Sequence, residues 1–159
     1  MRFLCLVLAV TPLRALAGLP QLVRFRRMLG LFAFFYASLH FTTYIWWDQF
    51  FDWAGIVKDV AKRPFITTGF AAFVCLIPLA ATSNKAMMRR LGRRWQQLHR
   101  LVYPIAAAGV IHYWWLVKRD ITQPAIYAAV LALLLGYRVA AWWRGRPRSR
   151  MAVLSASAK

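Results

Sequence analysis

The chain's 159 residues are 61% hydrophobic and include eight Trp, more apolar than the roughly half-apolar composition of soluble domains. Lys and Arg number 22 against four acids, Asp48, Asp52, Asp59 and Asp120, with no Glu and a net charge of +18. The basic residues punctuate apolar segments instead of lining one soluble face, which argues against nucleic-acid binding and for a membrane protein with basic cytoplasmic loops.

Five apolar stretches follow in chain order: residues 3–16, 28–47, 65–82, 98–117 and 124–143. Four approach the roughly 20 residues a helix needs to cross the hydrocarbon core, and the first is short. The expected fold class is an all-α integral membrane helix bundle with five spans. Residues 1–147 would form the membrane domain and 148–159 a small, polar, disordered cytoplasmic tail. Cys5 and Cys75 lie in apolar runs and read as small packing residues. With no CxxC or CxxCH, neither a disulfide framework nor c-type haem attachment is supported.

Arg24, Arg26 and Arg27 follow the first stretch, and a weakly charged loop with Asp48, Asp52, Lys58, Asp59, Lys62 and Arg63 follows the second. Lys85, Arg89, Arg90, Arg93 and Arg94 follow the third, Lys118, Arg119 and Asp120 the fourth, and Arg144, Arg146, Arg148 and Arg150 the last. Strongly basic connections alternate with nearly neutral ones, so the positive-inside rule places the basic loops and the C-terminus in the cytoplasm. By parity Met1 then starts on the outer face. A signal peptide with Arg2, an apolar run 3–10 and Ala15-Leu16-Ala17 as cleavage site would explain that start, but it reverses the charge rule for every later loop. A span preceding this chain keeps the rule intact and is the reading adopted. Thr11-Pro12 and Pro104 mark kinks in the first and fourth stretches.

The three histidines, His40, His99 and His112, lie in or at the edge of these stretches. An ionisable residue inside a membrane is a functional-site candidate, and neutral imidazole is the commonest metal ligand. His40 lies about 18 Å into the second span, and His112 about 20 Å beyond His99 on the fourth, at 1.5 Å per residue. His40 and His112 therefore share a depth in the outer half of the bilayer and could hold one haem iron between them. His99 lies at the inner level, where its counterpart on the second span is Arg26 or Arg27. Thirteen residues rotate an ideal helix by about 220° net, so His99 and His112 do not share a face unless the Pro104 kink changes the phase.

Competing readings are plain. His99, within Gln96-Gln97-Leu98-His99-Arg100, could be an ordinary interfacial polar residue, and His40 and His112 could make helix–helix hydrogen bonds. Tyr44, Trp46, Trp47, Trp53, Trp114 and Trp115 read as an aromatic belt at the outer boundary. Phe34, Phe35 and Tyr36 read as lipid-facing or core residues more readily than as haem contacts. The basic run 85–94 would suit anionic lipid, a flavin phosphate or a reductase partner, although topology already explains it.

Thr11-Pro12-Leu13-Arg14, Arg26-Arg27-Met28-Leu29-Gly30-Leu31, Phe35-Tyr36-Ala37-Ser38-Leu39-His40, Arg63-Pro64-Phe65-Ile66-Thr67-Thr68-Gly69, Trp95-Gln96-Gln97-Leu98-His99-Arg100-Leu101-Val102-Tyr103 and Ile111-His112-Tyr113 occur in this order. The set closely resembles the MsrQ (YedZ) family, haem-binding membrane subunits of a periplasmic methionine sulfoxide reductase system, in the ferric-reductase-like transmembrane group. The resemblance implies six membrane helices, of which this chain would begin at the second. It also implies b-type haem, one or two, with His40, His99 and His112 at the family's histidine positions, and an FMN. Electrons would pass from the quinone pool, or from a cytosolic flavin reductase, to a molybdenum-containing MsrP-type catalytic subunit in the periplasm. The chain would thus be an electron-transfer subunit in the bacterial inner membrane, with catalysis on its partner. The alternatives are a cytochrome b-type subunit for another outer-face acceptor, a transmembrane ferric reductase, and a non-redox membrane scaffold or transporter. No NAD- and FAD-binding domain is attached, which disfavours a self-sufficient ferric reductase.

Overall fold

The structure, a computed structural model, describes residues 1–18, 21–117 and 121–156, without the side chains of residues 23 and 145–156. The described residues form helices α1 (Arg2–Ala17), α2 (Leu22–Thr43), α3 (Trp53–Lys62), α4 (Pro64–Ala81), α5 (Lys85–Leu91), α6 (Arg93–His99), α7 (Val102–Leu116) and α8 (Thr122–Ala156). A π turn, Tyr44–Asp48, widens the end of α2. The expected connection Lys118-Arg119-Asp120 lies outside the described residues, as do residues 157–159 of the expected tail; the backbone of 148–156 continues α8.

The protein is an all-α membrane bundle. By length and composition three helical segments among the described residues can cross a membrane: Arg24–Asp48, Pro64–Ala81 and Thr122–Arg144. The other two expected spans are shorter helices, with 16 residues in α1 and 15 in α7. At 1.5 Å per residue these reach about 22–24 Å, against a hydrocarbon core of about 30 Å.

The fourth apolar stretch is not one continuous helix, which corrects the expectation that His99 and His112 share one. α6 ends at His99 and α7 begins at Val102. Pro104 has no amide to give the Arg100 carbonyl, and its ring crowds that carbonyl. The Arg100 oxygen accepts instead from the Tyr103 N–H, and the Arg100 and Leu101 amides reach only three residues back, to Gln97 and Leu98. The chain thus passes through a tightened turn between two helices.

A second correction concerns the weakly charged loop, which holds the amphipathic helix α3. Asp52 caps it, its carboxylate accepting from the Gly55 N–H at 3.0 Å, and Ile56 is buried. Asp59 then ties α3 to the π turn, accepting from Gln49 Nε2 at 2.8 Å and pairing with Arg63 Nε at 3.2 Å. The basic connection after α4 also carries structure. Asn84 caps α5 by accepting from the Met87 N–H at 2.7 Å, and Gly92, at φ 51° and ψ −117°, separates α5 from α6.

Five helices close into a ring in the order α1, α2, α4, α7, α8 and back to α1. Side-chain register gives their directions. Phe3 stacks on Tyr36, Phe41 on Phe73, and Phe65 meets His112 while Ser83 meets His99, so α1/α2, α2/α4 and α4/α7 are antiparallel. Arg2 reaches Tyr127 and Thr11 reaches Arg138, so α1 and α8 run parallel. The core lies between α1, α4, α7 and α8, built from Val7, Leu8, Leu76, Leu79, Ile105, Ala106 and Leu131 with their neighbours. Large apolar side chains face outward, Leu133 at 74% and Trp47 at 67% exposure, as expected where lipid is the solvent. Cys5 and Cys75 are free and half-buried.

One polar tie crosses this apolar bundle. Arg138 on α8 donates through Nη1 to the Tyr103 hydroxyl on α7 and through Nη2 to Thr11 Oγ1 on α1 at 2.5 Å, with its guanidinium 5.0 Å from the Tyr103 ring centroid. Hydrogen bonds to charged groups contribute about 1.5–3 kcal/mol, and those between membrane helices usually less. Tyr103→Phe keeps the ring and deletes the hydroxyl, and is expected to destabilise the bundle by about 1–2 kcal/mol, read as earlier unfolding in mixed detergent.

Candidate functional site

The site lies at the end of the ring where α2 and α7 finish and α4 begins. His40 sits in the last turn of α2, and His112 in the second half of α7. Their rings face each other with centroids 6.3 Å apart and planes at 70°. Two residues 72 positions apart and at one expected depth are thus neighbours in the fold. Metal–imidazole bonds of about 2.0–2.1 Å, with about 1 Å more from each nitrogen to its ring centre, put two imidazoles flanking one ion a little over 6 Å apart. The 6.3 Å between the two ring centres matches that separation.

The second nitrogen of His112 is already committed. Nδ1 lies 2.6 Å from the carbonyl oxygen of Phe65, in the first turn of α4. A carbonyl can only accept, so Nδ1 carries the proton and donates it, and the lone pair of the neutral ring is on Nε2. Such a bond fixes both ring orientation and tautomer, as the outer partners of metal-bound histidines do. His40 makes no hydrogen bond through its ring among the described residues and is exposed at the bundle surface.

Gly69 makes the approach possible. It follows Phe65 by four residues on the same face of α4. A Cβ there would sit 2.7 Å from His112 Nδ1 and 2.8 Å from Cε1, closer than any side chain tolerates. In sequence Gly69 is only the end of a motif; its place one turn beyond Phe65 is the signal for its role, but the neighbour it makes room for is on another helix.

His99 stands apart at the opposite, Arg-rich end. Its ring stacks on Trp95 at 3.9 Å, Nδ1 lies 3.1 Å from the Trp95 carbonyl oxygen and Nε2 lies 3.5 Å from Ser83 Oγ. Trp95 is itself held by donating Nε1–H to the Thr82 carbonyl at 3.0 Å. Both His99 nitrogens therefore have protein neighbours, and Arg26 is the charge within reach, as the register of α2 led one to expect. Among the described residues, no group of three or more His, Cys, Asp or Glu side chains gathers as a metal cluster. Any metal held here rests on the imidazoles.

The aromatics divide between packing and surface. Phe34 stacks on Phe73 at 6.0 Å inside the bundle, whereas Phe35 and Tyr36 are exposed. Trp46, Trp47, Trp53, Trp114 and Trp115 are exposed around the His40/His112 end, the arrangement of an interfacial belt.

Residues 1–110 match the family described as ferric reductase like transmembrane component. Over 149 residues the chain is 58% identical to the protein-methionine-sulfoxide reductase heme-binding subunit MsrQ of Bordetella pertussis, covering 92% of this chain and 72% of that protein. The MsrQ of Herminiimonas arsenicoxydans is 59% identical over 151 residues, covering 93% of this chain and 68% of the relative. The chain belongs to the MsrQ family. A Xanthomonas campestris member is 57% identical over 139 residues, 87% of this chain and 64% of that protein. No solved structure matches.

Within this family fold, the space at Gly69 is directly testable. Gly69→Ala is expected to push His112 off the Phe65 carbonyl at a cost of about 1–3 kcal/mol, the range for overpacking. Nitrogen-15 NMR of histidine-labelled protein should show loss of the single Nδ1–H tautomer for one of three histidines, with the other two unchanged.

Proposed function

We propose that the chain is a haem-carrying electron-transfer subunit of a methionine sulfoxide reductase system, with His40 and His112 as the axial ligands of one b-type haem. The observation that carries this reading is the 6.3 Å separation of two imidazoles on different helices, one of them held by a backbone carbonyl with its Nε2 lone pair free. The relatives' name, heme-binding subunit of protein-methionine-sulfoxide reductase, supports the same role. Haem iron, when bound, supplies a one-electron couple whose potential depends on axial ligands, their hydrogen bonds and burial.

The chain's own residues serve that chemistry by holding and orienting. Phe65 C=O fixes the His112 tautomer, Gly69 lets the ring approach α4, and His40 closes the pair from α2. Donation from the Nδ1 proton to the carbonyl makes His112 a more basic ligand. His99 is the axial candidate for a second haem nearer the Arg-rich end, a role that replaces its 3.5 Å contact with Ser83, the longer of its two polar contacts. The domain spans residues 1–147 and binds FMN as well. Its electrons come from the quinone pool or a cytosolic flavin reductase and leave to a periplasmic, molybdenum-containing MsrP-type subunit that carries the catalysis. The protein resides in the bacterial inner membrane with its C-terminus in the cytoplasm, an orientation supported by the gathering of Arg-rich connections at one end of the ring.

Reduced-minus-oxidised absorbance and haem stoichiometry test the reading. Wild-type protein should show a dithionite-reducible Soret and α band. His40→Ala and His112→Ala should each remove the same haem, whereas His99→Ala should leave that haem in place. Unchanged spectra in both of the first two variants would refute the pairing.

A further inference from the structure

The Arg-rich end of the bundle contains a second feature, remote from His40 and His112. A cavity of about 170 Å³ lies between α1 and α2, lined by Val10, Thr11, Arg14 and Arg26. Thr11 Oγ1 accepts from Arg138 Nη2, so a third guanidinium adjoins the same wall. Arg26 and Arg138 lie within electrostatic reach of each other, and Arg26 also of His99. The Nε of Arg138 is buried and has no hydrogen-bond partner among the described residues.

Among the described residues no carboxylate stands at this end to offset the positive charge. Asp48, Asp52 and Asp59 belong to the π turn and α3 at the opposite end of the ring, and the ion pair among the described residues is Asp59 with Arg63. Guanidinium groups gathered at a membrane cavity without an acid require an anion or water to lower their mutual repulsion, and their planar forks match phosphate oxygens best. Basic pockets between membrane helices on the cytoplasmic side are suited to lipid head groups. Arg14 is exposed, so the cavity opens to the surface.

We infer that this cavity is a binding site for a phosphate group of net negative charge, held by Arg14 and Arg26 with Thr11 and Arg138 as its inner wall. The phosphate comes either from an anionic phospholipid or from solution, and the site does not depend on a cofactor at the histidine pair.

The test uses the purified full chain in phosphatidylcholine micelles, titrated in one arm with phosphatidylglycerol and in the other with inorganic phosphate, with native mass spectrometry counting bound molecules. Wild-type protein should retain one phosphatidylglycerol in the first arm or one inorganic phosphate in the second. The double variant Arg14→Gln/Arg26→Gln should bind about thirtyfold more weakly, given the contribution of each Arg near a membrane surface. Arg14→Lys/Arg26→Lys, which preserves charge and guards against misfolding, should keep most of the affinity. Lys58→Gln/Lys62→Gln, on α3 at the opposite end of the ring, should change it little. Saturation by phosphatidylglycerol alone identifies a lipid site, and saturation by inorganic phosphate alone a soluble-anion site. The inference is overturned if neither ligand distinguishes wild type from Arg14→Gln/Arg26→Gln, or if Lys58→Gln/Lys62→Gln weakens binding as much.

Discussion

The contact on which the candidate site depends is the approach of His112 to the first turns of α4. A single missing Cβ, at Gly69, lets an imidazole lie against the helix backbone, where any side chain would stand 2.7 Å from Nδ1. The same approach supplies the Phe65 carbonyl as hydrogen-bond acceptor at 2.6 Å. Space and hydrogen bond therefore act together: the first allows the ring to dock, and the second fixes which nitrogen carries the proton. Partial burial of this contact strengthens the hydrogen bond that selects the tautomer.

The two ends of the bundle have different physical characters. At one end the histidine pair, the acids Asp48, Asp52 and Asp59, and the exposed tryptophans gather around α3, with Asp59 binding that helix to the π turn. At the other, arginines from α1, α2 and α8 converge on a cavity, and His99 packs with Trp95 and Ser83. Arg138 joins the basic end to the apolar core by tying α1, α7 and α8 through Thr11 and Tyr103. The histidine pair and the acids thus lie at one end of a membrane bundle, and the cluster of arginines lies at the other.

Much of the candidate site was legible before the fold was known. Counting residues along two spans paired His40 with His112, because depth in a bilayer is nearly linear in sequence position. The motif order identified the family for the same reason that the comparisons did. What hydropathy hid was local structure with mixed polarity. The segment from Asp52 to Lys62 carried a capping aspartate and apolar residues at Trp53, Ile56, Val57 and Val60, a helical pattern masked by its charges. Pro104 was seen as a kink, yet the separation of His99 from His112 into two helices followed from how the Arg100 carbonyl found a new donor.

The sequence by itself determined the membrane class, the alternation of basic and neutral connections, the levels of the three histidines and the family. These follow from composition and from linear spacing, which need no knowledge of neighbours. The tertiary structure alone decided that α4, not α2, orients His112, that Gly69 makes room for it, that His99 is occupied by Trp95 and Ser83, and that Arg138 faces inward to Thr11 and Tyr103. Each is a contact between residues on different helices, and helical periodicity gives a residue's face without naming the helix that will meet it.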